Sequence, residues 1–400
     1  MHRTRRDRGL LAAVVFTVLL AQTLLYPGVP DLVAALGATT ALDASMWFLV
    51  AEFAAFVSFV GVWGAASDAA GKRVPFIAAG AVGGCVGYAA LAAAGAVTDL
   101  SFEAVLVVRA LQGAATIGAF SLAMTMLMDL SGGHGRNMGA AGIAIGLGTA
   151  TGAPLGGQLT EIDPLGPLYV ASGLLFVAGV LVLRVEDRTP DREENLRAAL
   201  GNLVGTPALG IPYAFGFIDR LTAGFFALVG TLYFRSAFDL GAGDTGLMLA
   251  LFFAPFALLQ YPFGTLSDRV GRRLPILAGS ALYGLGVVAV GRAPTVELAG
   301  AGMVLVGVLG ALMAPATMAL VTDLAPASER GAAMGGFNLF GSLGFLAGFL
   351  VGGTVADAYG FGTAFLVAGG LEILLALVTL PFLLRLDAER TESFGGTEEA

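Results

Sequence analysis

The chain is short of nearly every side chain on which metal, redox or nucleotide chemistry depends. Cys85 is its single cysteine, so an intrachain disulfide and a thiolate metal cluster are both excluded. The two histidines, His2 and His134, lie outside the long apolar runs and form no cluster in sequence. No glycine-rich loop ends in Lys-Ser or Lys-Thr, and the glycine clusters have no strand–turn–helix setting, so nucleotide binding is not expected. No stripe of interleaved basic and aromatic residues points to nucleic acid. Lysine is nearly missing, Lys72 being the only one among 21 basic residues. Charge of either sign is scarce too: 12% of residues are charged, about half the share in a soluble domain. With 57% hydrophobic residues, the surface must face something other than water.

What is present is a series of long apolar runs. A bilayer crossing takes about 20 apolar residues at 1.5 Å of rise each. The hydropathy pattern predicts spans near 9–29, 45–66, 74–96, 102–128, 138–159 and 166–185, then 207–234, 245–266, 274–291, 296–321, 331–355 and 362–384. The first run is longer than a signal-peptide core and no convincing small-residue cleavage site follows it, so it reads as a span. The expected organisation is a six-helix bundle over 1–185, a charged linker over 186–206, a second bundle over 207–384 and an acidic tail over 385–400. Arg3, Arg5, Arg6, Arg8, Lys72, Arg73, Arg136, Arg184, Arg269, Arg272, Arg273 and Arg330 all fall on one side, and only Arg235 and Arg292 fall in the opposite loops. The positive-inside rule then puts both termini and the linker in the cytoplasm of a multi-pass cell-membrane protein.

The two halves repeat one another. Gly64, Asp68, Gly71, Lys72 and Arg73 close the second span, and Gly264, Asp268, Gly271, Arg272 and Arg273 close the eighth in the same spacing. Asp129 and Arg136 follow the fourth span as Asp323 and Arg330 follow the tenth. Two parallel halves of six helices imply a pseudo-twofold axis along the membrane normal and alternating access by rocking of the halves.

These duplicated turns resemble the loop signature of the major facilitator superfamily, and of its twelve-span drug:proton antiporter branch in particular. The resemblance covers about residues 9–384; the first turn departs from it at Ala69, where an arginine is usual. Arg109, Gln112 and Gly113 resemble the family's intramembrane arginine motif. Gly148, Gly152, Pro154, Gly156 and Gly157 resemble the fifth-helix motif of exporters, although Ala153 interrupts its Gly-Pro pair. The resemblance implies an all-α protein of two pseudo-symmetric bundles, in which helices one, four, seven and ten line the cavity. It also implies that Asp68, Asp268 and their basic partners latch the outward-facing state. Sequence alone offers two plainer readings: a topogenic basic turn, and glycines that serve helix packing only. A carboxylate at position 68 or 268 is further expected to accept backbone N–H groups at a helix start in its own half.

Ionisable residues deep in spans carry the functional signal, because a charge there costs about 2.5–3.5 kcal/mol on insertion scales unless it is paired or hydrated. They are Glu52, Arg109, Asp219, Arg220 and Glu372. Asp219 is the first candidate for proton coupling and Glu52 the second, with Arg109 as charge partner, anion ligand or half of a structural ion pair. Glu372, on the usually peripheral twelfth helix, is expected at an interface or snorkelling. Candidate substrate contacts are Arg109, Gln112, Gln22, Tyr26, Tyr213, Phe217, Arg220, Met313 and Met318, with Gln260 and Tyr261 weaker candidates for polar bonds between helices. The expected function is proton-coupled efflux of small amphipathic compounds by a monomer without cofactor. Sodium is the other coupling ion considered. Organic-anion or metabolite uptake or exchange is the alternative, and a non-transporting membrane sensor is the third. The net charge of -8 suits a high-salt cytoplasm, and hence a haloarchaeal source, or reflects merely an acidic linker and tail.

Overall fold

The computed structural model describes residues 2–95, 100–131, 134–187, 206–326 and 329–395. The expected linker lies outside them except at residues 186, 187 and 206, as do residues 396–400 of the expected tail. The chain is an all-α, multi-spanning membrane protein built as two six-helix bundles. In the first, α1 (His2–Thr23) and the short α2 (Val29–Ala35) are followed by α3 (Leu42–Ala70), α4 (Val74–Ala94), α5 (Phe102–Met128), α6 (His134–Ile162) and α7 (Gly166–Val182). The second comprises α8 (Pro207–Ala237), α9 (Ala242–Val270), α10 (Arg273–Val290), α11 (Val296–Leu324), α12 (Arg330–Tyr359) and α13 (Phe361–Gly395).

Local chemistry sets the ends. Gly71 stops α3 with φ 61°, a left-handed geometry that glycine adopts without strain. Ser101 and Thr295 cap α5 and α11 in the same way, each side chain accepting the N–H three residues on, and a glutamate follows in each first turn. Three elements differ from the hydropathy reading. The first span breaks after Thr23, because Pro27 and Pro30 supply no N–H, and resumes as α2. The seventh carries a π turn at Phe226–Gly230. The last helix runs past the expected span to Gly395.

The halves pack alike. In the first, α6 lies on α1, and α5 sits between α3 and α4; in the second, α12 lies on α8, and α11 sits between α9 and α10. Glycine makes these approaches possible. Gly148, Gly152 and Gly156 recur every four residues and turn one face of α6 onto the backbone of α1 at Phe16, Leu20 and Leu24. Gly344, Gly348 and Gly352 do the same for α12 against Phe217, Leu221 and Phe225 of α8. The fifth-span motif, carried by α6, thus packs its own half along this face, as close backbone approach in lipid requires. Its other face crosses to the second half. Gly157 meets the Ala242 carbonyl and Gly146 meets Ala257, while Gly353 of α12 meets Met46 of α3. Pro154, inside α6, touches the cross-half contact of Gly246.

This seam lies at the ends of the helices remote from the duplicated turns. Phe53 of α3 stacks on Phe345 of α12 there, with centroids 4.7 Å apart. The Glu161 carboxylate accepts the Gly243 N–H at the start of α9 (2.8 Å), and Arg235 pairs with Asp31 across the halves. Towards the turn-bearing face the seam opens, and a Cβ added at Gly139, Gly142 or Gly335 would meet nothing.

The packing separates two glycines of one helix. Gly156→Ala drives a methyl into the Leu24 backbone and should destabilise the detergent-solubilised protein by about 1–3 kcal/mol. Gly142→Ala, facing open space, should be neutral or stabilise by up to about 1 kcal/mol through helix propensity. Thermal unfolding of both variants checks the opposite signs.

Candidate functional site

The first half encloses a polar centre built from four helices. Glu52 on α3 and Arg109 on α5 form an ion pair, both fully buried. Arg109 also donates from Nη1 to Gln112 Oε1 (2.6 Å), and Gln112 donates from Nε2 to Thr116 Oγ1 (2.8 Å). Residues 109, 112 and 116 recur at helical spacing, so one face of α5 carries the chain of bonds. Phe48 and Tyr88 place their rings 4.5 and 5.5 Å from the guanidinium carbon, in range of cation–π attraction. Gln22 and Tyr26 approach the Glu52 carboxylate from the first span. Four buried polar atoms here have no hydrogen-bond partner among the described residues: Gln22 Nε2, Glu52 Oε1, Tyr88 Oη and Arg109 Nε. Gln22 lies next to Glu52 and Tyr88 next to Arg109, so small rotations pair these atoms with one another.

Arg109 was expected at the wall of the cavity. In this structure it is fully buried and paired with Glu52, a buried guanidinium without a carboxylate being far costlier than the pair. Gln22, Tyr26, Gln112, Glu52 and Arg109 are brought together; Tyr88, Phe48 and Thr116 join them without having stood out in sequence. An ordinary aromatic or threonine in an apolar span gives no sign of its partners.

The remaining candidates lie in the second half. Adjacent residues of a helix point about 100° apart, and Asp219 and Arg220 separate accordingly. Arg220 lies along α12, its Cγ 3.2 Å from a Cβ built at Gly341. It is half-buried and makes no hydrogen bond or ion pair among the described residues, Asp219 being the carboxylate whose charge acts on it. Asp219 faces the other way, towards Tyr283 of α10 and Glu372 of α13. Phe217 and Tyr213 line an apolar cavity of about 510 Å³ with Phe340 and Leu371, between α8, α12 and α13. Tyr213 is fixed there by donating to the Ala333 carbonyl at 2.7 Å. Met313 is core, packed on Gly279 of α10, and Met318 packs beside Met334 and Phe337. Tyr261 is exposed and neither it nor Gln260 makes a polar bond between helices among the described residues. Glu372 neither snorkels nor meets an interface: it is fully buried within its half.

The duplicated turns are built around arginine. Arg73 bonds Asp129 at 2.5 Å and reaches Asp68 at 3.8 Å. In the second half Arg272, one position earlier in the repeat, takes the corresponding role with Asp268 (2.5 Å) and Asp323 (3.2 Å). Burial of Arg272 disfavours its charge, but the hydrogen bonds it donates to Asp268 and Asp323 outweigh this and hold its pKa above the ordinary value. Gly64 and Gly264 contribute differently, each carbonyl accepting a serine hydroxyl, from Ser67 and Ser267. The helix-start role expected of Asp68 falls instead to Asp187, whose Oδ1 accepts the N–H groups of Arg73 and Val74 at 2.9 and 3.3 Å. Asp68 is turned from that helix start by Arg73. Lys72 and Gly271 occupy the turns themselves, Gly271 with φ 85°.

The sequence profile of the Major Facilitator Superfamily matches residues 11–229 and 212–400. An uncharacterised MFS-type transporter of Methanocaldococcus jannaschii is 33% identical over 41% of this chain and 42% of its own length. The multidrug efflux pump LfrA of Mycolicibacterium smegmatis is 34% identical over 31% of this chain and 24% of its own. The multidrug resistance protein MdtG of Proteus mirabilis is 32% identical over 35% and 34%. The matches therefore span less than half the length of each of these relatives. Among solved structures, the human organic anion transporter MFSD10 superposes over 95% of this chain and 99% of its own with TM-score 0.66 and 22% identity. The nucleoside transporter NupG does so over 95% and 99% with TM-score 0.73 and 14% identity.

The buried pair makes a sharp energetic prediction. Arg109→Gln leaves Glu52 without its cation and should destabilise by about 3–5 kcal/mol. Replacing both as Glu52→Gln and Arg109→Gln should cost clearly less than Arg109→Gln alone. Unfolding of the single and double variants, compared as a cycle, measures the difference.

Proposed function

The chain belongs to the major facilitator superfamily, and on that premise we propose that it is a secondary transporter of small organic anions or related metabolites, working by alternating access. The observation that carries this reading is the contrast between two arginines. Arg109 is saturated by Glu52 and Gln112, whereas Arg220 lies half-buried against α12 at Gly341 with only its sequence neighbour Asp219 to offset it. A guanidinium without a paired carboxylate, on the helix that also carries Phe217, fits a solute with an anionic head and an apolar body. The human organic anion transporter of the same fold supports that class.

On this reading Glu52 couples transport to protons, with sodium as the other ion considered. It gains a proton when Arg109 moves away and loses it when the pair re-forms. The arginine distribution puts the termini and the duplicated turns in the cytoplasm, so the conformation described is inward-open, held shut outside by the seam. The turns then act as the latch of the opposite state, and one chain supplies the whole pathway as a monomer. The acidic balance fits a high-salt source such as a haloarchaeon.

A second reading has its own support. The relatives named as multidrug proteins favour proton-coupled efflux of drug-like compounds, the drug:proton antiporter branch, over the third of the chain they match. Proteoliposomes with an imposed proton gradient separate the two. An anionic dye should be moved and its neutral ester should not, and Arg220→Gln should lower anion flux on the order of tenfold or more, the value of a charged hydrogen bond of about 1.5–3 kcal/mol. Glu52→Gln should uncouple flux from the gradient. Equal movement of neutral and cationic dyes would favour drug efflux, and no flux of any compound would favour a sensor.

A further inference from the structure

The second half contains a carboxylate that the transport reading does not use. Glu372 is fully buried on α13, and the groups around it are hydroxyls. Ser280 of α10 donates to Glu372 Oε2 at 2.8 Å, with a longer contact to the Glu372 carbonyl at 3.2 Å. Thr222 of α8 lies 3.3 Å from Glu372 Oε1 and 3.2 Å from the Ile218 carbonyl. No lysine or arginine forms an ion pair with it among the described residues. The ionisable groups facing it are Asp219 from α8 and Tyr283 from α10. Between Arg330 and Asp357, near its two ends, α12 carries no charged residue.

Counting hydrogens decides the state of this group. An ionised Glu372 would have two oxygens to satisfy and two hydroxyl protons at hand, one of which the Ile218 carbonyl also claims. It would in addition face the Asp219 carboxylate with no cation of its own, while itself fully buried. A protonated Glu372 resolves every contact. Its own O–H donates from Oε1 to Thr222 Oγ1, Thr222 donates to the Ile218 carbonyl, and Ser280 donates to Oε2. A neutral carboxyl avoids the desolvation of a lone buried charge. Tyr283 Oη, buried and without a hydrogen-bond partner among the described residues, lies in the field of Asp219 and Glu372.

We propose that Glu372 is a proton-binding site of the second half, occupied by a proton taken from solvent in this conformation, with half-buried Asp219 as its ionised neighbour. It is separate from the Glu52–Arg109 pair: the first half neutralises its buried carboxylate with a guanidinium and the second with a proton. Thr222 sits on the helix that also carries Asp219 and Arg220, so movement of α8 against α13 removes the acceptor of the Glu372 proton. The site then binds or releases its proton as the half changes shape.

Infrared difference spectra of the purified protein in lipid nanodiscs at neutral pH test this without any transport assay. Wild type should show the carbonyl band of a protonated carboxyl, displaced in heavy water, and Glu372→Gln should lack it. Asp219→Asn should retain it. Ser280→Ala, which leaves the carboxyl in place but removes one donor, should shift it to higher frequency, and this variant serves if Glu372→Gln fails to fold. Identical spectra for wild type and Glu372→Gln would overturn the proposal. So would a band lost in Asp219→Asn but kept in Glu372→Gln, which places the proton on Asp219. Disappearance of the band on adding sodium at constant pH would also overturn it, in favour of a sodium site.

Discussion

Backbone-to-backbone approach at glycine is the constraint on which this architecture rests. In a bilayer, lipid tails are as apolar as leucine, so helices associate through close packing rather than through exclusion of water. The glycines at 148, 152 and 156 on α6, and at 344, 348 and 352 on α12, bring each helix onto the first helix of its half. That leaves the opposite face of each free to meet the other half at Gly157 and Gly353. The same two helices therefore belong to both the rigid interior of a bundle and the moving surface between bundles. Side chains larger than hydrogen on the inner face would push α6 and α12 outward and lose both contacts together.

Within this symmetric frame the polar interiors are not symmetric. The first half gathers Glu52, Arg109, Gln112 and Gln22 into a charge-balanced centre with several unsatisfied atoms. The second gathers Asp219, Glu372, Ser280 and Tyr283, all capable of carrying a proton or donating one, and sends its arginine along another face of α8. Duplicated helices have thus kept their packing residues and diverged in their buried chemistry. On the proposed reading, two centres with different means of neutralising a carboxylate would respond differently to a rocking of the halves, as coupling an ion to a solute requires.

Hydropathy located the spans because length and apolarity are properties of a segment alone. The break after Thr23 follows from Pro27 and Pro30 and leaves hydropathy unchanged, whereas the π turn at Phe226–Gly230 depends on how the helix meets its neighbours. At the site, Arg109 and Gln112 could be grouped from their spacing on one helix. Their partner Glu52 could be named as one of two carboxylates for Arg109 but not chosen over Asp219, because the rotation of α3 against α5 is set by packing around Gly113 and not by either sequence. The same limit applied to Asp219 and Arg220, whose divergence follows from helical geometry but whose directions do not. Glu372 was misjudged for a related reason: position on a peripheral helix says nothing about Ser280 and Thr222, which draw it inward.

The seam that closes one face has a consequence for solution conditions. Most of its contacts join glycine, alanine or aromatic surface, as at Gly157, Gly146 and the stacked Phe53 and Phe345. Dispersion of this kind is indifferent to dissolved ions. Among the described residues, only the partly exposed Arg235–Asp31 pair and the Glu161 contact carry charge across it, and a Debye length that falls to about 3 Å at 1 M salt weakens exposed pairs first. Raising ionic strength therefore trims the closure at its polar rim while leaving its dry centre intact, so the balance between open and closed forms varies only gently with salinity.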